Sequence, residues 1–325
     1  MRHICFLLLC LFIVAVYWSP VQVSAAPLVG IHILEPSELD NADQALKDLD
    51  SKYVTIPIRT DDLDHKKWRQ FFETAEQKNI IPIVRLATEY DTESDAWKIP
   101  TRQDIVRFAH FFSAMPWNGD KRYVIIFNEP NHSNEWGGTI NAAGYADVLS
   151  FSSSWLKTEP FDYVVLPAGL DAAAPSGAKT MESFEYIDEM VEAEPDILSK
   201  IDMWNSHAYP NPGFSSSAYK SAKNAIDGWE YELNYLSSKH ETDLDVMITE
   251  TGWDQRNFSQ YQLTQYYEHA LETVWNDSRI KGITPFILNG NNGIFNHFSF
   301  LLPDGSPSPQ MKALIAAKGR ISDKL

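Results

Sequence analysis

The chain has 325 residues, enough for one large domain or two ordinary ones. With 44% hydrophobic and 22% charged residues its composition is that of a globular protein, which excludes a disordered chain. A net charge of −17 disfavours nucleic acid and anionic membranes as partners and suits an uncharged one.

The first 25 residues form a separate segment. Arg2 and His3 supply a basic start, Ile4 to Trp18 is an apolar run, and Val23-Ser24-Ala25 ends in the small residues that signal peptidase accepts. This layout predicts a secretory signal peptide cleaved between Ala25 and Ala26, with an uncleaved N-terminal anchor as the alternative. Cleavage removes Arg2 and no acid, so the charge moves from −17 to −18. Both cysteines, Cys5 and Cys10, lie in this segment, so the mature chain has no disulfide and no thiolate zinc site. No stable membrane association is expected after cleavage, and the sequence carries no signal for an oligomeric state.

From residue 26 onward, short apolar runs alternate with amphipathic stretches. The expected first strand, Leu28 to Leu34, precedes a helix over Ala42 to Leu49. Strand two, Tyr53 to Arg59, leads to a helix over Lys66 to Gln77, and strand three, Ile80 to Ala87, to a helix over Gln103 to Met115. Strand four is Tyr123 to Asn128, followed by Ala142 to Lys157. Strand five is Tyr163 to Ala168, followed by Met181 to Ala193. Strand six, Ile201 to His207, leads to a long helix over Ala218 to Ser238. Strand seven, Leu244 to Thr249, leads to Ser259 to Asn276, and strand eight, Gly282 to Leu288, to a final helix over Pro309 to Lys318. Runs such as Tyr123 to Phe127 are too continuously apolar for a half-exposed strand and suit a parallel sheet covered by helices. Eight strands alternating with eight helices predict an α/β chain with a single (β/α)8 TIM-barrel domain over residues 26–325. A doubly wound sheet would announce a glycine-rich turn after strand one, and Gly30 to Glu35 offers none.

Chemistry in such barrels sits at the C-terminal strand ends. Strand four ends in Asn128-Glu129-Pro130 and strand seven in Thr249-Glu250-Thr251. Two carboxylates projected towards one cleft are what glycosidic cleavage requires: one protonates the leaving oxygen, and the other attacks or directs water at the anomeric carbon. Asn128 is placed to bond a sugar hydroxyl. His207 and Tyr209, two apart on strand six, face one side and are placed to steady Glu250.

These residues resemble the clan A glycoside hydrolases, which include cellulases, mannanases, xylanases and β-glycosidases. The matching motifs are Asn128-Glu129-Pro130, His207-Ala208-Tyr209, Thr249-Glu250-Thr251-Gly252-Trp253, and the tail from Pro303 to Pro309. The resemblance implies Glu129 as acid/base, Glu250 as nucleophile, and retaining double displacement on a β-linked oligo- or polysaccharide through a glycosyl-enzyme, without cofactor or metal. Two places depart from the clan pattern. Thr55 stands where many members have a strand-two arginine, leaving Arg59 and Arg85 as candidates to supply that cation. The strand-eight tryptophan is missing from Phe286 to Gly290, where Asn289 is expected to hold the sugar by hydrogen bonds instead.

Among the tryptophans, Trp136 on the glycine-rich loop past Glu129 is expected to stack on sugar, Trp253 joins the substrate-binding set, and Trp204 is expected in the core. His32, Glu35, Glu89 and Asp91 follow strands one and three. Asn291, Asn292, Asn296 and Asp304 lack the ordered spacing of a calcium site. Asn131-His132-Ser133 fits the glycosylation pattern, but a glycan there would crowd Glu129, so Asn131 is expected to be bare. Two other functions share parts of the reading: a catalytically silent sugar-binding barrel, and a transglycosylase using the same carboxylates. A Schiff-base aldolase is disfavoured, because none of these strand ends offers a lysine. The sugar, its linkage and endo or exo action stay open.

Overall fold

The computed structural model describes residues 29–290 and 293–322. The expected signal peptide with Cys5 and Cys10, and the loop residues Asn291 and Asn292, lie outside the described residues. The strands in chain order are β1 (Ile31–His32), β2 (Tyr53–Arg59), β3 (Ile81–Ala87), a small antiparallel hairpin β4 (Tyr90–Asp91) and β5 (Ala96–Trp97), then β6 (Lys121–Ile126), β7 (Asp162–Pro167), β8 (Trp204–His207), β9 (Val246–Glu250) and β10 (Ile280–Ile283). Helices α1 (Leu39–Asp48), α2 (His65–Gln77), α3 (Arg102–Ser113), α4 (Ala142–Leu156), α5 (Ser183–Ala193), α6 (Gly228–His240), α7 (Gln260–His269) and α8 (Pro309–Ser322) cover the outside. No described helix is long and apolar enough to cross a membrane.

β1-β2-β3-β6-β7 form one parallel run and β8-β9-β10 another. Individual hydrogen bonds join the two runs into a ring. Between β10 and β1, Gly30 N–H donates to the Ile283 carbonyl at 2.7 Å. Between β7 and β8, Asp202 N–H donates to the Val165 carbonyl at 2.9 Å, and the Asn205 amide to the Pro167 carbonyl at 3.1 Å. The chain folds as a (β/α)8 barrel. Glycine is required at position 30, where a Cβ would lie 2.1 Å from the Tyr53 carbonyl oxygen.

Strand alternation sorts the side chains into two cores. Val54, Ile56, Ile58, Val84, Leu86, Val124, Ile126, Val246 and Ile248 point outward under the helices. Tyr53, Ile83, Tyr123, Ile125, Val164, Leu166 and Met247 point inward and fill the barrel floor. Both faces are dry, which explains the continuously apolar runs in the sequence. Two residues further along, the inward positions become polar. Thr55 and Thr284 share a 2.7 Å hydrogen bond across the barrel, Thr249 donates to the Asn205 side chain at 2.6 Å, and Arg85 follows Ile83 on the inner face.

Three local expectations are corrected. The hairpin β4–β5 was not expected, because two-residue strands leave no periodicity to read. The helix expected from Ala218 begins only at Gly228. Before it, the Asn224 carbonyl accepts from Asn211 N–H at 3.0 Å and the Asp227 carboxylate accepts from Ala222 N–H at 3.1 Å, so groups outside a helical ladder take backbone atoms that a helix would pair internally. Strand eight ends at Ile283 rather than Leu288, because beyond it Phe286 N–H donates to the Thr251 carbonyl and Leu288 N–H to the His32 carbonyl.

α6 sends Glu232 into the core, where Trp204 Nε1 donates to its carboxylate at 2.9 Å and the side chain is buried. Trp204 is thus a core residue, as expected. Burial raises the Glu232 pKa from 4.5 to about 7, against the pull of the Trp204 hydrogen bond. Between those two values the folded chain holds a proton that the unfolded chain releases, so this group costs stability as pH rises through the window and nothing further above it. Glu232→Gln keeps an acceptor for Trp204 and removes the titration. In urea unfolding it should exceed the parent by on the order of 3 kcal/mol near pH ~8 and match it near pH ~4; a pH-independent difference would contradict the assignment.

Candidate active site

The C-terminal strand ends open into a cleft of about 630 Å³, lined by both Glu129 and Glu250. Glu129 stands three residues past β6, where the chain turns sharply: Phe127 has φ 67° and Glu129 φ 28°, both in a region that side chains disfavour. Glu129 N–H donating to the Gly169 carbonyl (3.2 Å) and His132 N–H donating to the Glu129 carbonyl (2.9 Å) hold the turn. Glu250 ends β9, and a register shift between β8 and β9 sets His207 opposite it.

His207 is the centre of the constellation. Its Nδ1 lies 2.8 Å from one Glu129 oxygen and 3.8 Å from a Glu250 oxygen. An oxygen of each carboxylate and a His207 ring nitrogen all lie within 4.8 Å of one another. Tyr209 donates to Glu250 at 3.0 Å. From β3, Arg85 donates through one nitrogen to Glu250 and to the Asn128 side-chain oxygen, the latter at 2.8 Å. His32, wholly buried, lies 3.8 Å from the Glu250 oxygen that Arg85 binds.

These neighbours set the charges. Burial by itself would raise the Glu250 pKa, but the positive charges of His207 and Arg85 outweigh it and hold the carboxyl below its usual range. Burial likewise opposes a charge on His207, yet Glu250 and Glu129 together raise its pKa above the ordinary value. His32 goes the other way: burial, then Arg85, bring it down to about 3, so it is neutral. Tyr209 is raised well above 10 by burial and then by the Glu250 and Glu129 charges, which keeps it a donor.

Asn128, Tyr209, Arg59 and Arg85 all line the cleft. Of the two candidate arginines, Arg85 reaches Glu250, while Arg59 sits at the rim and binds Asp61 at 2.9 Å. Thr55 is turned to Thr284 and has no part in the charge network. His207 lies buried beside Glu129. Asn131 is fully buried, and its amide donates to the Asp171 and Met181 carbonyls, which leaves no room for a glycan.

Four expected substrate contacts do not line the cleft; His207 is one, its ring wholly buried beside Glu129. Trp136 is buried edge-on against Phe127 and Tyr145, where it anchors the loop past Glu129. Trp253 is buried against Tyr266, Tyr267 and Trp275 with its Nε1 donating to the Ser216 carbonyl at 2.9 Å. Asn289 does not line the cleft either. The aromatic at the end of strand eight is Phe286, set edge-on to His32 and to Phe295 at 5.1 Å each, because the chain rejoins the barrel at Phe286 through the Thr251 carbonyl.

Two cleft features were missed. Glu135 is a further carboxyl in the same cleft; burial first, then the charge of Glu129, push it up to about 7 against the pull of Arg85 and an Asn128 hydrogen bond. Its place six residues past Glu129, on the loop assigned to sugar contact, was the available signal. His132 and Asp171 pair at 2.9 Å across the cleft wall. A metal is not what the central trio suits. Glu129, His207 and Glu250 have ligand spacing, but Arg85 already supplies a cation to Glu250, and the raised His207 pKa opposes the loss of the proton that ligation requires.

A family model described as glycosyl hydrolase catalytic core matches residues 89–313, more than half of the chain, and spans both Glu129 and Glu250. No curated protein sequence matches. Among solved structures, a family 39 glycoside hydrolase from Bacteroides cellulosilyticus WH2 aligns with a TM-score of 0.60 at 17% identity, covering 90% of this chain and 64% of that one. An endo-1,4-β-mannanase from Rhizomucor miehei aligns at 0.59 and 12% identity, covering 92% and 96%. The mannohexaose complex of a β-mannanase from Thermomonospora fusca aligns at 0.58 and 16%, covering 91% of each chain. At such identities the likeness is one of fold.

Gly169 supports the His207 ring: a Cβ at 169 would lie 2.1 Å from its Cδ2 and 2.5 Å from its Nε2. Gly169→Ala should therefore force the ring off Glu129 and lower its raised pKa, as followed by imidazole NMR titration. An unchanged His207 titration would refute the close fit.

Proposed function

The chain belongs to the glycosyl hydrolase catalytic core family and is a glycoside hydrolase; on that premise we propose that it cleaves β-linked oligo- or polysaccharides with retention, Glu250 acting as nucleophile and Glu129 as acid/base. The observation that carries this reading is the closeness of the two carboxylates, an oxygen of each within 4.8 Å of the other. Retaining enzymes hold the pair about 5–5.5 Å apart, whereas inverting enzymes leave about 6.5–9.5 Å for a water.

In the first step a Glu250 oxygen attacks the anomeric carbon as the bond to the leaving oxygen breaks, and Glu129 passes its proton to that oxygen. The product is a glycosyl ester on Glu250. Glu129, now a carboxylate, takes a proton from water, the water oxygen attacks the same carbon, and Glu250 departs as a carboxylate. Arg85 and Tyr209 keep Glu250 ionised and aimed, since both bond it directly. His207 holds Glu129 through Nδ1 and offsets the second negative charge. The mannohexaose bound by the Thermomonospora fusca enzyme supports an oligosaccharide as the ligand class. With the expected signal peptide, the substrate lies outside the cytoplasm.

A panel of β-aryl glycosides and β-mannan, β-glucan and xylan tests the activity. Glu129→Ala should lose about 10²–10⁴-fold in kcat on substrates with poor leaving groups. Glu250→Ala should lose more, and azide should restore turnover with a glycosyl azide of inverted configuration. Unchanged turnover in Glu250→Ala would sink the mechanism. Arg85→Met removes a cation that holds the Glu250 pKa down, so the acid limb of kcat/KM should move to higher pH; an unmoved limb would separate Arg85 from the nucleophile.

A further inference from the structure

We propose that Glu135 and Trp97 form a sugar subsite beside Glu129, in which the Glu135 carboxyl binds ring hydroxyls and excludes sugars that carry a carboxylate. The inference rests on the glycosidase reading and narrows its substrate to uncharged glycans.

The subsite is built into the backbone. Glu135 closes a short 3-10 turn, Ser133–Glu135, that begins four residues past the acid/base. Trp136 pins the turn from below, fully buried, and Gly137, at φ 62°, lets its N–H donate to the Trp97 carbonyl at 2.8 Å. That bond ties the turn to the β4–β5 hairpin, and Trp97 lines the cleft next to it. A pyranose offers hydroxyls at its edge and an apolar C–H face, which a carboxyl and an indole respectively can hold.

The charge arrangement has a cost that a structural role does not explain. Glu135 shares the cleft with Glu129 and Glu250, and a glutamine would fill the same space without the repulsion. Among the described residues its carboxyl is held by the Asn128 side chain, whose oxygen is taken by Arg85, which in turn binds Glu250. A carboxylate has about four acceptor positions, so most of its bonding capacity is left to the cleft. Among the described residues no cation is paired with Glu135. The cations lining the cleft are spoken for: Arg85 by Glu250, His132 by Asp171, Arg59 by Asp61. Above about pH 7, where Glu135 is ionised, a uronic acid entering here meets that charge beside the one on Glu250 and no uncommitted cation.

Binding and turnover test this separately. In a Glu250→Gln background, which removes the nucleophile but keeps its shape, calorimetry with cellohexaose, mannohexaose and laminarihexaose reads the subsite without catalysis. For whichever hexaose binds, adding Glu135→Gln or Trp97→Ala should weaken Kd at least tenfold. In the otherwise native enzyme, Glu135→Gln should raise KM more than it lowers kcat, and should improve the ratio of activity on a C6-carboxylated substrate to that on its neutral parent at least tenfold. A merely structural Glu135 would leave that ratio alone. Unaltered Kd and unaltered selectivity in both variants overturn the subsite, as does failure of every hexaose to bind. If the native enzyme turns over nothing while the hexaose binds in a Glu135-dependent way, the subsite stands and the hydrolase mechanism falls.

Discussion

Two carboxylates held within 4.8 Å in a buried cleft repel each other, and the site is organised around that repulsion. At an effective dielectric constant of about 20, two unit charges at such a distance cost about 3–4 kcal/mol, before the penalty of burying either. His207 and Arg85 offset it. The imidazole stands between the glutamates, and the guanidinium binds Glu250 from the opposite side. The neighbours bias the pair unequally: Arg85 and Tyr209 bond Glu250 and neither bonds Glu129, which His207 holds instead. In the proposed mechanism that asymmetry separates the nucleophile from the acid.

The barrel makes this density of charge possible by stacking its interior in layers. An apolar floor of Tyr53, Ile83, Tyr123 and Met247 excludes water from below. A belt of hydroxyls follows, Thr55 paired with Thr284, Thr284 donating to the Thr249 carbonyl and Thr249 to the Asn205 side chain. Only above this belt do Arg85, His207 and Glu250 emerge, each fixed by a strand whose other face is packed under helices. Rigid strands, rather than loops, thus carry the groups whose relative positions matter most. Glu129 is the exception, and its strained turn is secured by the Gly169 carbonyl and by Trp136 beneath the loop that follows.

The aromatic residues show how the molecule separates scaffold from cleft. Trp136 and Trp253 follow the two glutamates closely in sequence, yet both face inward and stabilise the loops. Trp97, Phe286 and Phe295, on the hairpin after β3 and the segment after β10, are among the aromatics that line the cleft, with Trp68, Phe127, Tyr209, Phe214 and Phe298.

Much of this was legible in the amino-acid order. Hydrophobic periodicity is local, so eight strand and helix pairs could be counted, and motif position on that count placed Glu129 and Glu250 at the mouth. Alternation along a strand put His207 and Tyr209 on one side. What no local pattern carries is contact between distant elements. Which arginine reaches Glu250 depended on β3 turning Arg85 into the barrel while Arg59 stays at the rim. Whether a tryptophan stacks on sugar or on the core depended on which way a loop folds over its neighbours. That Glu135 joins the cleft depended on a turn tied to the hairpin by one hydrogen bond. The sequence by itself determined the scaffold and the candidate carboxylate pair, because both follow from short-range order; the tertiary structure decided the surroundings of that pair, because burial and charge are set by residues far apart in the chain.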